Sequence, residues 1–371
     1  MSEQSAREDG SSLVIPSLLD RLRGFELPNS HGPDPQDYNP TMADADTLLR
    51  IGLPPRPDKY RHPELHKLWI NAFGRTLRFV RFTVPRPFEG PDYRPFLRRE
   101  RRGPPATRFE TSRNWSGAYI EPSAGKMFAQ VWGQWTVPTP HPPPGATVPE
   151  GYQCSTWIGL DGQRRYRNSS LPQIGTRQAV TVAADGTQSY MTDAWVQWWD
   201  QYDKKSEPVP IHDFPVDHGN IISCVLTVLD EHHVLLNIVN QSTKPPTFTP
   251  IKADAPTPAG SRLPLSISGA TAEWIMERPA IPEPDTPDNS CQPYTSDNLY
   301  LLPDYGSMDF VGCYAVEAFE GDVSPVEQTL KTPRFIRMYE VRPNPQRTAY
   351  ISMPMRIDDT SFRVAYGDFR D

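Results

Sequence analysis

Most residues of this 371-residue chain that could do chemistry stand outside any familiar catalytic arrangement. There is no GxSxG elbow to carry a nucleophilic serine, no HExxH to hold zinc beside a general base, and no glycine-rich phosphate loop. No Asp-Thr/Ser-Gly pair offers the two carboxylates of pepsin-like proteases, and no Glu-x-Asp-x-x-Glu strand marks a jelly-roll glucanase. His232 and His233 follow Asp230 and Glu231, where a polar turn between two strands is expected. A metal site there is the weaker alternative. Cys154, Cys224, Cys291 and Cys313 are widely spaced, without CxxC or zinc-finger spacing, so up to two disulfides or none fit them. No metal and no cofactor is expected.

What remains is a series of segments in a fixed order. Asn114-Trp115-Ser116-Gly117-Ala118 comes first, then Trp135-Thr136-Val137-Pro138 and Trp157-Ile158-Gly159-Leu160-Asp161-Gly162. Pro172-Gln173-Ile174-Gly175, Asp193-Ala194-Trp195-x-Gln197-Trp198-Trp199 and Ala272-Glu273-Trp274-Ile275 follow. Singly, Gln173 reads as a solvated turn residue and Glu273 as the exposed position of an edge strand. Together the segments resemble the motifs of the glutamic peptidases (eqolisins), from about Thr111 to the last residue.

The resemblance implies a concanavalin A-like sandwich and a catalytic pair, Gln173 and Glu273. A carboxylate at Glu273 can take a proton from water attacking the scissile carbonyl and return it to the leaving amine. Gln173 offers an amide donor to the developing oxyanion and a carbonyl to hold the water, without titrating. The resemblance also makes Trp157 and Trp195 cleft aromatics, against the plainer reading of all these tryptophans as sandwich packing. Asp161 and Asp193 become supporting hydrogen-bond partners. Three positions depart from the family pattern. Its AWYEW glutamate is Gln197 here, the leucine before the catalytic glutamine is Pro172, and the asparagine before the glutamate motif is Thr271. Family members often carry a cysteine after the WVGIDG motif and another before NAEWI; this chain has neither.

The elements that hold these residues follow from composition and pattern. With 43 prolines and 37% hydrophobic residues, the chain cannot be mostly helix. Its 9 tryptophans and 11% aromatics suit sheet surfaces. After Arg113, short alternating runs read as strands: Ser116–Ile120, Phe128–Val137, Gln188–Trp199, Ile221–Leu229, Val234–Asn240, Ala272–Met276 and Ala349–Pro354. The expected fold class is all-β, an antiparallel two-sheet sandwich of jelly-roll type. Thr139–Glu150, Lys244–Arg262 and Pro279–Pro293 are expected as exposed proline-rich loops. Residues 1–57 read as a flexible polar tail, with short helices possible at Pro16–Gly24 and Ala43–Leu49. Residues 58–110 read as a basic, Pro-rich extension, with a helix and then a strand between Glu64 and Thr83. Residues 111–371 form the sandwich domain.

Net charge is −7, unevenly spread. Arg56–Ser112 holds about 14 basic and 6 acidic residues, and the remainder from Arg113 about 20 basic and 30 acidic. A basic segment can lie against an acidic domain, so Arg56–Arg108 is expected to act as an inhibitory prosegment released in acid by self-cleavage near Arg102–Ser112. The run Arg98, Arg99, Arg101 and Arg102 is too short and proline-flanked to imply nucleic acid. No stretch is long enough to span a membrane. The resemblance implies a polypeptide substrate and an extracellular enzyme, yet no signal peptide is visible near Met1, which leaves an intracellular location open. A monomer is expected. The alternatives are a catalytically silent sandwich binding peptide or glycan through the aromatic cleft, and a glycan-active relative of the same fold.

Overall fold

The structure, a computed structural model, describes residues 25–26, 36–80, 109–146, 150–163, 170–200, 208–258, 261–280, 299–318, 326–343 and 346–369. The expected helix at Pro16–Gly24, the linker prolines of 85–105 and Cys291 lie outside these residues. In chain order the strands begin with β1 (Phe25–Glu26), β2 (Asp37–Tyr38), β3 (Leu77–Phe79), β4 (Phe109–Ser112) and β5 (Trp115–Ile120). Next come β6 (Met127–Thr136), β7 (Glu150–Leu160), β8 (Ser170–Val182), β9 (Gln188–Asp200) and β10 (Val209–Pro210). They continue with β11 (Ile221–Asp230), β12 (His233–Asn240), β13 (Thr247–Asp254), β14 (Ala272–Glu277) and β15 (Ser307–Ala318). The last are β16 (Val326–Thr329), β17 (Arg334–Pro343), β18 (Gln346–Arg356) and β19 (Phe362–Phe369).

Two layers face each other across one core. The front layer runs β10-β9-β8-β7-β14-β5-β17. The back layer runs β19-β15-β6-β11-β12-β13-β3-β2. The fold is therefore the expected β-sandwich, with one difference. β18 pairs with both β17 and β19, so the hydrogen-bonded ladder passes from front to back without a break.

Alternation along each strand decides what enters the core. On β14, Ala272, Trp274 and Met276 point inward. They share one core with Ile222, Cys224, Leu226 and Val228 of β11 and Trp135 of β6. Trp274 Nε1 donates to Trp132 O at 2.6 Å and Trp135 Nε1 to Thr176 Oγ1 at 3.1 Å, so neither buried indole is left unsatisfied. Cys154, Cys224 and Cys313 are buried free thiols. Burial pushes all three well above the ordinary thiol value, which makes them packing groups rather than nucleophiles.

The segment expected as a loop at Lys244–Arg262 contains strand β13, and Pro250 sits inside it. The outer edge of β13 explains this. It pairs with β3 at Thr247–Phe248 and with β1 at Lys252–Ala253, so Pro250 falls in the gap where no N–H is required.

Residues 36–80 build a third layer. Apolar residues at Leu65, Leu68, Trp69, Ala72 and Phe73 form one face of the helix Pro63–Phe73. That face packs on Trp132, Val225, Val239, Phe248, Tyr314 and Val316, which point outward from the back layer. Phe73 lies edge-on to Trp132 at 6.1 Å and to Phe248 at 5.8 Å. Trp69 Nε1 donates to Pro54 O, and Asn237 Nδ2 to Gly52 O. Part of the expected tail is therefore integral packing: Leu48 and Leu53 are fully buried, and Asp44 caps the helix Ala45–Arg50 by accepting from Thr47 N at 2.7 Å.

Candidate active site

The strand register brings the two motif residues together. Glu273 on β14 lies opposite Gly159 on β7, Gly159 opposite Gln173 on β8, and Gln173 opposite Gln197 on β9. On the other side Glu273 lies opposite Tyr119 of β5. Directly opposed residues in antiparallel strands share a face, so Tyr119, Glu273, Gln173 and Gln197 project together from the outer face of the front layer. Glu273 and Gln173 are two strands apart, about 10 Å between Cα atoms, and the residue between them has no side chain. No side chain from β7 therefore stands in the line between the carboxylate and the amide, and Leu171 packs over Gly159 instead.

Local geometry fixes each partner. Asp161, in the left-handed region at φ 72°, ends β7 with a sharp turn. Its buried carboxylate accepts from Ser268 N, Ser268 Oγ and Ala270 N, which ties down the approach to β14. The same turn aims Gly162 N–H at Glu273 Oε1, 3.1 Å away. Gln173 Nε2 donates to Gln197 Oε1 at 2.7 Å, while Gln173 Oε1 is buried without a hydrogen-bond partner among the described residues. The turn expected around Gln173 is in fact the interior of β8. The β7–β8 register ends at Gln173, one residue after Pro172, which has no N–H to offer. Glu273 is likewise not on an edge, since β14 lies between β5 and β7. Glu273 is 0% and Gln173 3% exposed.

The neighbouring rows carry the other named residues. Trp157, Gly175 and Trp195 form one row, with Trp157 and Trp195 in an aromatic cluster with Tyr119, Leu171 and Ile275. The next row pairs Arg177 with Asp193 through a two-pronged ion pair, Nε to Oδ1 at 3.1 Å and Nη2 to Oδ2. Two residues of this face were not anticipated. Glu277 accepts from Trp115 Nε1 at 3.1 Å and Trp157 Nε1 at 2.7 Å, and alternation from Glu273 was the available signal. Gly159 was visible as a motif letter, but its place in the row depends on register.

Gly159→Ala tests how closely this row is packed. The added Cβ would stand 2.7 Å from Leu171 Cδ1 and 3.0 Å from Pro172 O. Overpacking of this kind costs about 1–3 kcal/mol. We expect kcat/KM on a peptide to fall by at least tenfold, more than the change in Tm accounts for, because displacing Leu171 and Pro172 also shifts the adjoining Gln173.

His232 and His233 lie away from this row. His233 bridges Asp230 at 2.7 Å and Asp254 at 3.3 Å, and His232 Nδ1 meets Leu265 O. Among the described residues no group of three His, Cys, Asp or Glu is arranged to hold a metal ion. Burial pushes the Asp230 carboxyl up, but hydrogen bonds from His233 and from His232 N–H outweigh it and leave the group below the ordinary value. Stability from this pair is therefore present above the ordinary carboxylate range and is lost as pH falls through the lowered folded value. Asp230→Asn should flatten that part of a plot of Tm against pH.

The basic extension does not cover the row where it is described. Residues 56–80 lie on the outer face of the back layer, the opposite side of the sandwich, and 81–108 fall outside the described residues.

A comparison with curated proteins finds no match. Among solved structures, the chain is similar to a scytalido-glutamic peptidase bound to a peptide-based transition-state analogue. Identity is 17% and TM-score 0.45, over 68% of this chain and 98% of that one. The same identity, coverage and TM-score relate it to SCP-B, described as an eqolisin peptidase in complex with a tripeptide. Aspergilloglutamic peptidase from Aspergillus niger matches at 17% identity and TM-score 0.35, over 58% of this chain and 99% of that one. The family model described as the peptidase A4 family matches residues 113–338. On that match, spanning more than half of its residues, the chain belongs to the peptidase A4 family.

Proposed function

We propose that this peptidase is an acid-acting glutamic endopeptidase in which Glu273 and Gln173 form the catalytic pair and residues 111–371 the catalytic unit. The observation that carries the reading is the cross-strand row, with Glu273 and Gln173 on one face and Gly159 between them. Water held by the pair would give its proton to the Glu273 carboxylate as it attacks the scissile carbonyl. Gln173 Nε2 keeps a second N–H for the oxyanion after donating to Gln197, and its unpartnered Oε1 is an acceptor for the water. Glu273 then returns the proton to the amine as the C–N bond breaks. Asp161 acts on this chemistry only by holding the turn that presents Gly162 N–H to Glu273.

Digestion of a denatured protein from pH 2 to 7, with pepstatin present, tests the reading. Pepstatin-resistant cleavage confined to acid supports it. Absence of cleavage at every pH favours the silent binding module, a reading to which the near-complete burial of Glu273 and Gln173 lends some weight. Gln197→Glu restores the family's carboxylate beside Gln173. An ionised acceptor binds the Gln173 amide more strongly than a neutral one, so the variant should acquire a pH dependence of kcat that the native Gln173–Gln197 pair lacks.

A further inference from the structure

The outer face of the front layer continues beyond the catalytic row. Along β8 the side chains on this face are Gln173, then Gly175, then Arg177, so Arg177 lies about 13 Å from Gln173. An extended peptide covers that distance in about four residues. Gly175, between them, is flanked by Trp157 and Trp195. Trp157 Nε1 is occupied by Glu277, but Trp195 Nε1 is buried and has no hydrogen-bond partner among the described residues. A buried indole N–H without an acceptor calls for a ligand or a water. Arg177 is 29% and Asp193 23% exposed, so the pair is reachable from solvent. Asp193 engages Nε and Nη2 of Arg177, which turns the Nη1 edge of the guanidinium away from that carboxylate.

We propose that this row is a carboxylate subsite: Arg177 receives a carboxylate of the peptide three or four residues from the scissile bond, while Trp195 Nε1 holds a peptide carbonyl beside it. The proposal rests on the peptidase reading of the same face. A planar guanidinium presents donors matched to a carboxylate and keeps its charge at any working pH. The ligand carboxylate is either an Asp or Glu side chain or the peptide's own C-terminus.

The test is peptide binding to the Glu273→Gln chain, which reads the subsite without turnover. The probes are capped peptides carrying Glu or Gln three or four residues to either side of a central apolar pair, plus a version with a free C-terminus. A Glu peptide or the free-terminus peptide should bind about tenfold tighter than its neutral counterpart, and whichever does so identifies the carboxylate. Adding Arg177→Gln with Asp193→Asn removes both charges together and should bring the ratio within about twofold. Trp195→Phe should weaken charged and neutral peptides alike by severalfold and leave their ratio unchanged, a readout that survives if the double variant fails to fold. Equal binding of all probes overturns the proposal, as does a preference that persists in the double variant. Unchanged affinity in Trp195→Phe removes the indole from the subsite. Cleavage by the wild-type chain without any carboxylate preference sinks this proposal alone. A preference in binding without cleavage by the wild type sinks the peptidase reading and leaves the subsite.

Discussion

Glu273→Gln should lower kcat/KM for peptide hydrolysis by about 10²–10⁴-fold, the usual contribution of a positioned general base. The substitution keeps the shape of the side chain, and the amide oxygen can still accept from Gly162 N–H, so the fold should tolerate it. What is lost is the ability to take a proton. Glu273→Ala would lose the reaction as well, but it would also leave a cavity at a fully buried position opposite Tyr119 and confuse chemistry with packing. Gln173→Glu is the complementary change. It keeps an oxygen for the water but puts a second ionisable group near the first. Activity in that variant should fall most steeply toward neutral pH, where two carboxylates in one site repel. If Glu273→Gln retained wild-type kcat/KM with pepstatin present, the base would have to be sought elsewhere on the face.

The second large effect concerns stability. Trp69→Ala should cost about 3–5 kcal/mol, the range for removing a large buried aromatic side chain. Trp69 is 0% exposed, holds Pro54 O, and carries Arg56 over its ring at 4.9 Å. Deleting residues 1–80 goes further. It uncovers Trp132, Val225, Val239 and Phe248 together and also strips β3 from the edge of β13. An apolar face next to an unpaired edge strand invites aggregation. We expect the deleted chain to be insoluble or to melt far below the full chain. A soluble deletion variant with unchanged Tm would show that this layer contributes nothing to the fold.

Legibility in the sequence followed the range of the signal. Strand alternation is local, so Met127–Thr136, Ile221–Asp230 and Ala272–Glu277 were found close to their true ends. Gln173 and Glu273 were singled out as candidates through ordered motifs, because a glutamine or a glutamate alone carries no such information. Register was not legible. That Gly159 lies between them, or that Arg177 meets Asp193, depends on how β7, β8, β9 and β14 align, and this is set by packing of the whole layer. β13 was missed because Pro250 and the prolines flanking the strand resemble a loop until the gap in its outer pairing is known. The helix Pro63–Phe73 was readable from its apolar face, but its destination was not. A helical face shows that something must cover it and does not say what.

The layer formed by residues 36–80 separates two events that proteolysis usually joins. A chain cut between residues 80 and 109 would run as two pieces under denaturing conditions, yet nothing in that cut disturbs the contacts of Trp69, Phe73 and Phe79 with the back layer. The shorter piece would stay bound like a subunit. Such a cut would leave the native mass almost unchanged, and the N-terminal fragment would copurify with the rest of the chain.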